Sequence, residues 1–99
     1  MPYLIYAIDF DGKDVIRESL REAHRTHLRS AGNRLLASGA LLAEDRKTVI
    51  GGISLFDTEI REEAERFAAT DPFAMAGIRR ETHISYWRKR WWDGEFKKD

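Results

Sequence analysis

The sequence predicts an α+β domain on the ferredoxin-like plan, βαββαβ, with two helical segments covering one face of a four-stranded antiparallel sheet. Three observations predict it. Apolar runs and amphipathic stretches follow one another in the order strand, helix, strand, strand, helix, strand. Glu44-Asp45-Arg46-Lys47 reads as a charged hairpin between the second and third strands, and Asp71-Pro72 stops the second helix ahead of the last strand. Ninety-nine residues make one domain. Residues 1–87 carry the plan, and 88–99 form a basic, aromatic tail.

Pro2 to Phe10 (PYLIYAIDF) is too short for a typical helix and rich in strand formers, with apolar residues on both faces. Asp11-Gly12-Lys13-Asp14 is a turn, with Asp14 a candidate N-cap. From Val15 to about Ala31 the residues Ile16, Leu20, Ala23, Leu28 and Ala31 recur at helical spacing, and Gly32-Asn33 stops the helix. His24 falls four residues after Leu20 and four before Leu28, so it lies on the inward stripe or at its edge. Arg34 to Leu42 and Thr48 to Phe56 are the second and third strands. Gly51-Gly52 inside the third marks either a bulge or a place where something approaches the backbone closely.

Asp57 or Thr58 caps a second helix reaching about Ala69, with Ile60, Ala64, Phe67 and Ala68 on its stripe. In Thr70-Asp71-Pro72-Phe73-Ala74-Met75-Ala76-Gly77, Asp71 is a good N-cap, Pro72 suits the first helical position and Gly77 ends the short turn. The last strand, Ile78 to Trp87, sets Ile78, Thr82, Ile84 and Tyr86 on a drier face against Arg79, Glu81, His83 and Ser85. Since the first three strands are apolar on both sides, one sheet face is left uncovered. A patch of that size predicts a homodimer packed sheet to sheet.

Seventeen basic and seventeen acidic residues cancel, so no global field recruits nucleic acid or an anionic membrane. Neither an apolar run long enough to span a bilayer nor a signal segment is present, which predicts a soluble protein of the cytoplasm. Without cysteine there are no disulfides, thiolate nucleophiles or thiolate metal sites. No phosphate-binding loop or nucleophile motif is present, so no nucleotide cofactor is expected. In the tail, Trp87-Arg88-Lys89-Arg90-Trp91-Trp92 interleaves cations with aromatics as single-strand-binding platforms do. Asp93, Glu95 and Asp99 dilute that charge, which argues against nucleic acid and for packing of the tryptophans.

Several stretches resemble the YCII-related (YciI-like) proteins of the dimeric α+β barrel superfamily, relatives of muconolactone isomerase and chloromuconolactone dehalogenase. They are LIYAIDF, Arg21-Glu22-Ala23-His24, Arg34-Leu35-Leu36-Ala37-Ser38-Gly39 and Asp71-Pro72-Phe73-Ala74-Met75-Ala76-Gly77-Ile78. The last is the most specific. The resemblance implies that His24 and Asp71 are the catalytic pair. Where the family has Gly-Pro after its second strand, this chain has Gly39-Ala40.

A carboxylate bonded to one imidazole nitrogen fixes the tautomer and leaves the other nitrogen to exchange a proton. The expected function is therefore binding of a small metabolite of acidic or lactone-like character. The expected chemistry is cofactor-independent proton transfer, isomerisation or elimination by His24 and Asp71. The alternative is a non-catalytic ligand-binding or accessory dimer in which Asp71 only caps and His24 only packs. His27 is expected to be a partly exposed helix residue, and no third ligand accompanies the two histidines for a metal. Asp9 is expected at a solvated strand end and His83 on the surface, while Tyr6 and Ser38 are candidate pocket-lining donors.

Overall fold

In the computed structural model, which describes residues 1–98, four strands form one antiparallel sheet in the order β2-β3-β1-β4. The strands are β1 (Tyr3–Asp9), β2 (Leu35–Leu42), β3 (Val49–Phe56) and β4 (Arg79–Tyr86). Between them come helices α1 (Asp14–Ser19), α2 (Arg21–Ser30), α3 (Arg61–Ala69) and α4 (Pro72–Met75), with a single 3₁₀ turn at Gly32–Arg34. This is the predicted ferredoxin-like plan. Asp99, the end of the tail, lies outside the described residues.

Register decides which side chains meet. Ser38 pairs with Ser54, Ser54 with Ile5 and Ile5 with Ile84, so these four share a face. That face carries the core, in which Ile5 and Phe56 pack against Ala64 and Ala68 of α3, with Tyr3, Phe67 and Ile84 around them. Small residues on α3 let the helix approach the sheet closely. Leu4, Tyr6 and Ile8 of β1, with Ile53 and Leu55 opposite them on β3, point to the other side, where no helix lies.

Three expectations about these elements need correction. The first helix is broken, because Leu20 leaves helical geometry at φ −102°, ψ 5° and separates α1 from α2. The single stripe therefore splits, and Ile16 and Ala23 are exposed. The second helix begins at Arg61 and not after a cap at Asp57 or Thr58; Thr58 Oγ1 instead accepts from Ile60 N–H and donates to Glu63, leaving Ile60 exposed. Arg79 is not on the wetter face, because Ile8 pairs with Glu81 while Asp9 pairs with Arg79. Arg80 is thus an extra residue in β4, and the bulge returns Arg79 to the helix side. The basic, aromatic tail folds into a two-stranded hairpin of β5 (Trp91–Trp92) and β6 (Glu95–Phe96).

Both readings of the glycine pair hold, a close approach at Gly51 and a bulge next to it. A Cβ on Gly51 would lie 2.1 Å from the Ala7 carbonyl oxygen of the neighbouring strand, so only glycine fits. Beside it, the β2–β3 register shifts between Leu41 and Leu42.

Candidate functional site

The site begins with a helix cap. Asp71 is extended (φ −61°, ψ 130°) because it precedes Pro72, and its side chain accepts Phe73 N–H at 2.9 Å to start α4. Gly77, at φ +71°, turns the chain out of that helix into β4. This places a carboxylate only 4% exposed directly under α2. His24 Nδ1 lies 2.9 Å from Asp71 Oδ1, and Arg79 donates to Asp71 Oδ2 at 3.1 Å. Burial alone would raise the Asp71 carboxyl. The hydrogen bonds from His24 and Phe73 N–H, with the charges of Arg79 and His24, outweigh it and hold the group below its usual value.

Nδ1 is taken up by the carboxylate, while Nε2 makes no hydrogen bond among the described residues. The imidazole stacks on Phe73, with centroids 4.1 Å apart and planes within 18°. Phe73 also receives the Arg17 guanidinium, 4.3 Å from its centroid. Arg17 in turn donates to Asp9 Oδ2 at 2.5 Å. Asp9 is buried, not solvated, and that burial raises its carboxyl although Arg17 and Arg79 pull the other way. Its Oδ1 and the Arg79 Nε are buried without hydrogen-bond partners among the described residues.

Above these groups is a cavity of about 720 Å³ between α1–α2 and the sheet. His24, Asp71, Arg17, Arg79 and Phe73 line one part of it, and Ser38 and Ser54 line another. Ser38 is therefore where it was expected. Tyr6 is not, because its alternation in β1 turns it to the open face beside His83. His83 is exposed. His27 Nε2 bonds the Phe67 carbonyl at 2.8 Å and its ring stacks on Phe67, so it ties α2 to α3. Among the described residues no three His, Asp or Glu side chains converge as a metal site. Arg17, Arg79 and Ser54 escaped the sequence reading. Arg17 and His24 stand on separate helices, α1 and α2, so their meeting over Phe73 follows from the break at Leu20 and not from helical spacing.

A scan against family models matches residues 1–88 to the YCII-related domain. No curated protein matches the chain. Among solved structures, the fold resembles 5-chloro-2-hydroxyhydroquinone dehydrochlorinase from Burkholderia phenoliruptrix in complex with 2,5-dihydroxybenzoquinone. The TM-score is 0.80 at 26% identity, covering 89% of this chain and 94% of that one. With nearly the whole chain matched by the family and the same fold in that enzyme, this protein belongs to the YCII-related domain family.

Proposed function

We propose that the cavity binds a small oxygenated ring compound and that His24, oriented by Asp71, moves a proton on it without a cofactor. The observation that carries this reading is the 2.9 Å bond from Nδ1 to a buried carboxylate, which leaves Nε2 as the unengaged basic atom of a cavity-lining ring. In an elimination, Nε2 first moves an O–H proton onto the ring carbon that bears the leaving group, giving a ketone, and then takes a second O–H proton. The pair freed in that second step forms another carbonyl, the ring double bond shifts toward the protonated carbon, and the leaving group departs with its own bonding pair. In an isomerisation, the same nitrogen returns the proton to another atom. Similarity to a dehydrochlorinase supports the first, at an identity of 26%.

Chloride release from 5-chloro-2-hydroxyhydroquinone tests it. A general acid–base group is worth about 10²–10⁴-fold, so His24→Ala should lose at least about a hundredfold in rate. Activity retained within about threefold overturns the assignment. A wild type that binds the compound but releases no chloride favours the non-catalytic reading, which the sufficiency of Asp71 as a cap supports.

The reading takes the protein as a homodimer. The half-buried apolar row of Leu4, Tyr6, Ile8 and Ile53, on a sheet face without helices, supports pairing of two such faces. Sedimentation at twice the chain mass is expected at micromolar concentration, and a single-chain mass removes this part.

A further inference from the structure

The hydroxyls of Ser38 and Ser54 lie 2.9 Å apart, on directly paired residues of β2 and β3 and on the helix side of the sheet. Both line the cavity, and neither makes another hydrogen bond among the described residues. Two hydroxyls bonded to each other satisfy only one of their two protons. Whichever serine donates, the acceptor's own O–H is left over, together with unused lone pairs on both oxygens. Packing does not call for this pair, because inward positions of a strand favour β-branched and aromatic side chains.

The register also gives its position relative to Arg79, which shares the Asp71 carboxylate with His24. Along β1, Ile5 lies in the serine row and Asp9 in the row of Arg79, with Ala7, Gly52 and Ala40 across the row between them. At about 3.3 Å per residue the two polar rows are about 13 Å apart. Only small side chains rise from the sheet between them. A flat molecule therefore has clearance to lie over Ala7 and Gly52, with one edge toward His24 and the other toward the serines.

We propose that Ser38 and Ser54 form a second polar subsite, which donates a hydrogen bond to an oxygen on the edge of the ligand away from His24. This rests on the proposed binding of an oxygenated ring and narrows it. The preferred ligand carries oxygens on opposite edges, and the serine pair is specificity-determining and not catalytic.

The probe is 2,5-dihydroxybenzoquinone, which carries oxygens on opposite edges, with phenol as the single-oxygen control. Binding is measured by calorimetry to wild type, Ser38→Ala, Ser54→Ala, the double variant and His24→Ala, with thermal melting of each. The double variant should bind the quinone about tenfold or more weakly, while its affinity for phenol stays within about twofold. Ser38 is exposed, so Ser38→Ala alone keeps the test valid if the double variant folds poorly. A lowered melting temperature with unchanged quinone affinity assigns the pair a purely structural cross-strand role and overturns the proposal. So does a wild type that does not bind the quinone. Weakened binding in the serine variants with full affinity in His24→Ala supports the subsite, while counting against His24 as a ligand contact.

Discussion

Replacing Asp71 by asparagine separates the cap from the charge. The amide oxygen can still accept Phe73 N–H and the His24 Nδ1 proton, both of which go to Oδ1. The amide nitrogen then occupies the position of Oδ2, where Arg79 donates at 3.1 Å, and sets donor against donor. Both partners are well buried, with side-chain exposures of 12% for Arg79 and 6% for Asp71. Arg79 already has one buried nitrogen without a partner, so the loss is not easily absorbed. Removing one member of a buried pair costs about 3–5 kcal/mol, and the retained cap returns about 1 kcal/mol of it. The expected deficit at pH 7 is therefore about 2–4 kcal/mol, or a melting temperature lower by about 10–25 °C.

The deficit depends on pH in a definite direction. The native Asp71 carboxyl is depressed, so its stabilisation is complete above the unfolded value of about 4 and is lost as pH falls through the lower native value. Below that point, wild type also holds an uncharged group beside Arg79. Urea unfolding from pH 7 to 2.5 should show the two proteins converging at the acid end. A difference that is constant over this range, or below about 0.5 kcal/mol at pH 7, refutes the reasoning and leaves Asp71 as a cap alone.

Arg17→Met should show recovery instead of loss. It leaves Asp9 buried and ionised, costing about 2–4 kcal/mol at pH 7. Because the native Asp9 carboxyl is raised, protonation relieves that cost as pH falls through its native value, starting above about pH 4. Urea melts at pH 7 and pH 5 check this, and a deficit that does not shrink counts against the pairing. Gly51→Ala drives a methyl group into the Ala7 carbonyl of β1 and should cost at least about 2–3 kcal/mol by chemical denaturation. Unchanged stability would mean that the strands separate there at little cost.

The layout was legible because it rests on local patterns. Apolar runs, a charged hairpin at Glu44–Lys47 and the stop at Asp71-Pro72 each speak for their own segment, and together they fix the order of elements. The meeting of His24 and Asp71 was legible through the motif resemblance, not through spacing. What failed was parity. Leu20 interrupts the helix without any glycine or proline to announce it, and Arg80 shifts the alternation of β4 by one. The first splits the helical stripe and the second exchanges the faces of the residues ahead of it, so Arg79 was misplaced although its strand was correctly found. Asp9 was misread for a different reason: a charged residue at a strand end is usually solvated, and its partner Arg17 is named only by the three-dimensional fold.

A strand that counts in twos has only two answers for where a side chain goes, and one additional residue exchanges them. In β4, Glu81 faces the open side, so strict alternation would give the next inward position to Arg80 and send Arg79 to the open face. The bulge hands that position to Arg79 instead, opposite Asp9, where its guanidinium reaches the Asp71 carboxylate. Which cation joins this buried cluster is thus chosen by one unpaired residue, and a chain lacking Arg80 would keep Arg79 facing the helices with no bulge at all.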